Sequence, residues 1–408
     1  MEYHELIDIK KELYDHFLCF FDDNQADDNF DKLIENIHIH KYQEKSDDFK
    51  TILYLIREIN KNHHRLSSHL EKIERFVSHY SEYIKQSFTK EELFNIFRKN
   101  PQILHFLFDK GIISIDDSII NLIVKPSKSI FVLRRYKGEK KPDKESKKAK
   151  FKNKRSMVEN YKYYFYQQIK SKLDEEERKA IEKELLEKDE NIFDDFDKKC
   201  MIGENHSYIS ELIRKDSIEE FVTYTNKAGI ILTSEIKPSI FETNPFLVSK
   251  PATLIEYAAF FGSIQIFQYL RMNQVELTPS LWLYAIHGNN PEIIHFLERD
   301  QVEPEDITYM ECLKESIKCH HNEIAHYIQT NLMEEPIEIK ESNFKNNPIS
   351  CGFHFYNYEF LQEYEYFNNS QFLFFYACLY DHFPVVKLLI QMKKVDLNQK
   401  IISIIFFE

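Results

Sequence analysis

The sequence predicts an all-α fold: a helical solenoid, preceded by an N-terminal helical region and interrupted by a basic insert expected to be disordered. Three observations predict it. A heptapeptide occurs twice, as Pro101-Gln-Ile-Leu-His-Phe-Leu107 and Pro291-Glu-Ile-Ile-His-Phe-Leu297, identical at five of seven positions. A small residue followed by apolar residues at fixed offsets marks further copies of one unit. With only 7 Gly and 12 Pro in 408 residues, the chain has few of the tight turns that an all-β fold of many hairpins needs. Apolar residues make up 43% of the chain, ample for a core, and stacking lets a chain of this length grow as one array.

The N-terminal third reads as helices. Lys50 to Asn60 places Ile52, Leu55, Ile56 and Ile59 on one face, and Leu66 to Gln86 carries Leu70, Ile73, Val77, Tyr80 and Ile84. Thr89-Lys-Glu-Glu92 has the form of a capping box opening a helix that runs to Arg98. Asn100-Pro101 then starts a helix, since Asn satisfies an orphan amide and proline has none, and Lys110-Gly111 ends it with a left-handed cap.

Composition changes after Val124. From Arg134 to Arg155 twelve Lys or Arg face three acids, a charge of +9, which leaves -22 on the rest of a chain whose total is -13. So few apolar residues cannot form a core, so residues 124–157 are expected to be disordered. Two charged helices follow, Tyr161 to Leu173 and Glu175 to Lys188.

The repeats are clearest from residue 200 onward. Counting four, eight, eleven and twelve residues from Ala258 gives Gly262, Ile266, Tyr269 and Leu270. The same offsets from Ala285 give Asn289, Ile293, Phe296 and Leu297. From Ser316 they give His320, Ile324, Tyr327 and Ile328, and from Ala377 they give Asp381, Val385, Leu388 and Leu389. Each unit is a short helix, a tight turn tolerant of a left-handed backbone, and a second helix. The 61 residues between Ser316 and Ala377 leave room for one more, degenerate unit near Asn346 to Tyr366.

Thr253-Leu-Ile-Glu-Tyr-Ala258 with Gly262, Ile266 and Leu270 resembles an ankyrin repeat, as does Phe375-Tyr-Ala377 through Val385-Val-Lys-Leu-Leu389 to Val395-Asp396-Leu397-Asn398. The second copy departs from the pattern at Phe372 and Asp381. Together with Ile52 to Asn60, His63-His64-Arg65, Ile202 to Ile209, Lys237 to Asn244 and Ser316 to Glu323, these stretches resemble the expanded, divergent ankyrin-repeat proteins of parasitic protists, which share a domain of unknown function. The resemblance spans roughly residues 50 to 400 and implies an ankyrin-type solenoid that binds proteins, without an assigned activity or ligand. On this reading residues 1–123 are an N-terminal helical region with an ankyrin-like pair at 89–111, in which Asn95 replaces the expected Ala. Residues 124–157 are the basic insert, 158–199 charged helices, 200–398 ankyrin-like repeats, and 399–408 an apolar tail read as a truncated repeat.

Catalytic, cofactor and metal residues are not expected. The seven glycines lie at least 26 residues apart, which excludes phosphate-cradling loops and nucleophile elbows. Cys19, Cys200, Cys312, Cys319, Cys351 and Cys378 include no C-x-x-C pair and read as reduced thiols of a cytoplasmic or nuclear protein. Cys312, Cys319, His320, His321 and His326 cluster in sequence but read as buried thiols and turn histidines, and H-x-E-x-x-H at His321 to His326 is not the metalloprotease motif. His38-Ile-His40 and His63-His64 read as ordinary polar positions, and Trp282 as a core residue between stacked units. No secretory leader or membrane span is expected.

The functional expectation is therefore a non-enzymatic scaffold or adaptor for protein partners. A second reading is a nuclear or nucleic-acid-associated adaptor, in which Lys140, Lys141, Lys147, Lys148 and Lys150 act as an import signal or contact an anionic surface. The apolar tail, Ile401 to Glu408, is expected to promote self-association.

Overall fold

Six helix pairs turn on the same backbone device, a single left-handed residue between two helices. In the computed structural model, which describes residues 2–22, 26–63, 69–124, 161–334, 347–362, 370–393 and 395–397, that residue is Asp216, Gly262, Asn289, His320, Tyr356 and Asp381 in turn, with φ between 48° and 66°. The pairs are I, Tyr208–Arg214 with Ile218–Ala228; II, Leu254–Phe260 with Ile264–Met272; and III, Leu281–Gly288 with Pro291–Arg299. They continue as IV, Met310–Lys318 with Asn322–Tyr327; V, Pro348–Phe355 with Glu359–Gln362; and VI, Ser370–Leu379 with Phe383–Gln391. In five pairs the amide after the left-handed residue closes the turn on a carbonyl five residues back, that of Leu212, Ala258, Ser316, Gly352 or Ala377, at 2.8–3.1 Å. This is the helix-ending bond that satisfies an otherwise orphaned carbonyl.

All the described residues are helix, turn or loop, apart from one isolated antiparallel bridge between Glu235 and Thr253. The four offset series predicted from Ala258, Ala285, Ser316 and Ala377 each fall on one of these pairs, and the degenerate unit is pair V, with Gly352 as its small residue. Pair I was not anticipated, because Leu212 stands where the other units have Gly, Ala or Ser.

The first helices contact one another in chain order from I to VI. Close approach is tightest between pairs II and III. A Cβ on Gly288 would lie 2.0 Å from the Ala259 carbonyl oxygen, and one on Gly262 would lie 2.7 Å from that of Gly288. Ala258, Ala285, Ser316 and Ala377 are fully buried, as the small residue of each unit must be. Trp282 is buried too, its Nε1–H donating to the Val302 carbonyl at 2.5 Å, and its ring meets Tyr309 edge-on. It fills space between neighbouring pairs, as its position in the unit predicts.

Three N-terminal helices belong to the same compact unit as the pairs: α1 (Tyr3–Asp22), α2 (Ala26–Ile39) and α3 (Ser46–Asn62). α1 packs on α2 and on the second helices of pairs V and VI, and α3 also meets pair VI. Both helices cross turns of the later pairs. Tyr14 of α1 meets His320 and Tyr358, and Lys11 pairs with Glu359 at 3.0 Å. Along α3, Tyr54 lies beside Tyr356, Lys61 over the Phe355 ring, and His63, at its end, against Cys319 and His321.

The described residues form two compact units, one drawn from 1–75, 207–236 and 252–396, the other from 76–206 and 237–251. The boundaries at 123 and 200 read from the sequence do not coincide with these units: residues 1–75 group with the repeats, and residues 200–206 and 237–251 do not. In the second unit the capping box of Thr89 and Glu92 forms as expected, and Gly111 is left-handed with φ 61°. Asn100 differs from the expectation, since its side chain does not cap the helix Pro101–Asp109, whereas Asn290 caps its own through the Glu292 amide. That helix instead anchors through Gln102, whose Nε2 donates to Met201 and Ile202 carbonyls while Thr243 donates to its Oε1.

Two helices predicted as continuous are broken. The run from Leu66 to Gln86 divides at Tyr80 into His69–His79 and Ser81–Ser87. The run from Tyr161 divides into Tyr161–Tyr164 and Tyr166–Ile169, where the Tyr164 hydroxyl donates to the Cys200 carbonyl and that of Tyr166 to Glu182. Burying four consecutive aromatics and satisfying their hydroxyls overrides helical continuity there. Among the described residues, no helix is long and apolar enough to cross a membrane.

Candidate functional site

The chemistry-bearing side chains of the repeat unit converge on the turns. The residue that follows each left-handed position reaches back to the preceding pair. Ser263 Oγ donates to the Ile213 carbonyl at 2.5 Å, Asn290 Nδ2 to Gly262 at 3.0 Å, and His321 Nδ1–H to Ile286 at 2.7 Å. Asn357 Nδ2 donates to Ile317 at 2.9 Å and His382 Nε2–H to Phe353 at 2.7 Å. Five polar residues thus form a ladder that joins all six pairs. Four acceptors are carbonyls in the last turn of a first helix and the fifth is that of the left-handed Gly262; those of Ile213, Ile286 and Ile317 also take the amide of their left-handed residue. Each such bond contributes roughly 1 kcal/mol, and more is lost when one partner is removed from a buried site. Burial drives the pKa of His382 down to about 3, against the pull of the Phe353 carbonyl, and Lys10 and Arg57 lower it further.

Between pairs III and IV the ladder widens into a charged seam. His287 Nε2–H donates to Glu315 Oε1 at 2.7 Å, and Lys318 Nζ holds the same oxygen at 2.6 Å. The Phe260 ring of pair II stacks on His287. On α3, Glu58 takes Arg57 at 2.8 Å, Lys61 at 2.9 Å and the Asn62 amide at 3.1 Å. Burial pushes both carboxyls up, but the facing cations outweigh it, Lys61 and Arg57 for Glu58, Lys318 and His287 for Glu315. Both pKa values lie well below the usual carboxylate range. Burial lowers Lys318, yet Glu315 more than compensates and its pKa ends raised.

His287, Glu315 and Cys319 bring one donor atom each within 4.8 Å of one another, a set that zinc would accept. Cys319, His287 and Glu315 also resemble a nucleophile, a base and an orienting acid, in that order. Neither chemistry fits the geometry. Cys319 Sγ lies 3.4 Å from Nδ1 and 3.7 Å from Nε2 of His287, almost equidistant from two nitrogens on either side of one ring carbon. A sulfur so placed in the ring plane would collide with that carbon, so it lies over the ring face, off both lone-pair axes. The thiol is fully buried, and burial together with Glu315 pushes its pKa far up, away from a nucleophile or a ligand thiolate. A metal would also have to displace Lys318 from the Glu315 oxygen. The seam is a packed ion-pair network that joins pairs III and IV, with His63 at the end of α3 bonded to the Cys319 carbonyl.

The sequence cluster separates accordingly. Cys312 is buried on the first helix of pair IV and accepts, through its carbonyl, from Ser316. His320 is the left-handed residue, His321 a rung of the ladder, and His326 stacks on Phe360. His40 lies 3.4 Å from Glu12, and His63 Nδ1–H donates to the Cys319 carbonyl. All six cysteines are free thiols. His287 and Glu315 were missed because they sit on different units. The ladder had a legible signal: five residues after each small residue stands Ser263, Asn290, His321, Asn357 or His382, always a polar side chain. Lys140, Lys141, Lys147, Lys148, Lys150 and the tail 399–408 lie outside the described residues. No family model, no curated protein and no solved structure matches this chain.

Proposed function

We propose that this chain is a non-enzymatic, ankyrin-type scaffold that binds a protein partner. The observation that carries the reading is the ladder: six pairs in one register, whose turn serine, asparagines and histidines are committed to holding neighbours together. A stack in which each unit contacts its neighbours presents one repeated surface over a long distance, suited to an extended partner. Proximity labelling in the native cell, followed by titration of the purified partner, tests it. Saturable one-to-one binding that leaves the partner's mass unchanged is the expected result, and a partner released cleaved or covalently altered would overturn it.

A second reading is favoured by one observation, the +9 charge of residues 134–155. It makes the chain a nuclear or nucleic-acid-associated adaptor. Binding to a nucleic acid would weaken steeply as salt is raised, through counterion release, whereas an apolar protein interface would hold. Fusion of residues 134–155 to a reporter tests the targeting form, which nuclear accumulation supports.

A further inference from the structure

Four buried histidines meet where the N-terminal helices reach the turn of pair IV. The His63 ring lies 5.1 Å from His321, 6.1 Å from His69 and 6.3 Å from His320, centroid to centroid. Each of the four is at most 4% exposed. His63 and His321 donate through Nδ1–H to the carbonyls of Cys319 and Ile286, and His320 Nδ1 lies 3.2 Å from the Tyr14 hydroxyl of α1. His69 opens the helix His69–His79 against the Phe21 ring of α1, centroids 4.4 Å apart. Lys72 of the same helix donates to the Phe21 carbonyl at 2.9 Å. The turn itself does not require histidine, for pair III makes the same left-handed turn and the same rung with Asn289 and Asn290.

We infer that this joint is an acid-operated latch: protonation releases α1, α3 and the start of the helix His69–His79 from the turn of pair IV. Where Nδ1 is committed as a donor, a further proton goes to Nε2 and makes the ring a cation. Charging His63 and any one of its three neighbours sets two cations 5.1–6.3 Å apart, out of water, where like charges repel far more than at a surface. The charged groups that face the joint do not offset this. Lys61, Lys318 and Glu315 stand around Cys319, and Lys72 adds another cation. Glu58 already holds Arg57 and Lys61, and Glu315 holds His287 and Lys318. On α1, Lys11 pairs with Asp15 and Glu359. Zinc also gathers imidazoles, but among the described residues the only three donor atoms within 4.8 Å of one another belong to His287, Glu315 and Cys319. The latch does not depend on what the scaffold binds.

The test is hydrogen exchange on the full chain at pH 7 and pH 5, corrected for the intrinsic pH dependence of exchange. Each histidine that opening returns to water, where it titrates near 6.5, favours the open state about 25-fold more at pH 5 than at pH 7. The amides of His63 and His321, bonded to the carbonyls of Ile59 and Ser316, should therefore open at least about a hundredfold more readily at pH 5. The rise is read relative to the Ser263 amide of pair II, which carries any global loss, that from His382 included. His320→Asn with His321→Asn, which copies the turn of pair III, should remove at least about tenfold of the rise. Should that variant not fold, His63→Asn, which keeps a donor for the Cys319 carbonyl, is read in the same way. A smaller rise in the wild type, or an equal rise in the variant that folds, would overturn the latch. So would added zinc sulfate that protects these amides at pH 7 in the wild type alone, which would assign the cluster to a metal.

Discussion

The turns at Asn289 and Tyr356 have the same backbone and opposite side chains. Asn289 adopts φ 48° in the open, as Asp381 does, while the half-exposed Asp216 accepts from the Gln265 and Ile266 amides of pair II. Tyr356 adopts φ 59° while buried, its ring stacked on His382 and its hydroxyl donating to the Tyr380 carbonyl at 2.8 Å. His320 behaves like Tyr356, buried against Tyr14 of α1. A left-handed L-residue costs about 1–2 kcal/mol wherever it occurs. In open turns a short polar side chain keeps that cost low, and in covered turns burial offsets it. The pair geometry imposes the conformation, and what crosses the turn selects the residue.

The largest effect is expected where the pairs touch backbone to backbone. Gly288→Ala places a Cβ 2.0 Å from a carbonyl that cannot move without shifting pair II, and should cost about 3 kcal/mol or more in urea unfolding. Gly352→Ala meets the flexible Leu361 side chain at 2.9 Å and should cost less. Equal losses would show that the pairs are not in such close register.

The comparison itself is tested by Tyr356→Gly and Asn289→Gly. The first relieves the backbone but removes a buried aromatic, for a net loss of about 2–3 kcal/mol. The second should be neutral or gain up to about 1 kcal/mol. A stabilising Tyr356→Gly would mean that the ring contributes nothing to covering the turn.

Acid tests the buried rung beside the exposed Asp381. His382 has its pKa depressed from 6.5 to about 3, so the unfolded chain takes up a proton that the folded chain refuses. Stability is therefore full above pH 6.5 and falls as pH drops towards 3, by about 2 kcal/mol at pH 5. Glu58 and Glu315, held low by their cations, add to the loss as pH falls through the usual carboxylate range and below it. His382→Gln, which keeps a donor to Phe353, should flatten the slope between pH 7 and 5. An unchanged slope would place the titrating group elsewhere.

A smaller effect distinguishes rungs of the ladder. Asn357→Leu removes the side-chain donor from Asn322 Oδ1 and from the Ile317 carbonyl, which keeps only the His320 amide at 3.2 Å, and should cost about 1–3 kcal/mol. Asn290→Leu, at a half-exposed rung where water can replace the amide, should cost under about 1 kcal/mol.

Periodicity made the pairs legible because a small residue, a left-handed turn and an apolar i, i+3, i+4 pattern are local requirements. Ala258 with Gly262 and Ile266 shows all three. Pair I escaped because Leu212 occupies the small position. The covering of His320 and Tyr356 escaped because α1 and α3 lie some 300 residues away in sequence, and no local pattern encodes which turn they cross. The seam escaped for the same reason, as His287 and Glu315 acquire meaning only once two units are stacked. The breaks at Tyr80 and Phe165 show tertiary burial overriding helix propensity.

The covering of the later turns is tested most directly by native-state hydrogen exchange on the wild-type chain. The amides of Ser217, Ser263, His321 and Asn357 close equivalent turns with equivalent bonds, so intrinsic geometry does not separate them. If α1 and α3 cover pairs IV and V, the amides of His321 and Asn357 should exchange at least about tenfold more slowly than those of Ser217 and Ser263. Equal protection at all four would contradict the account.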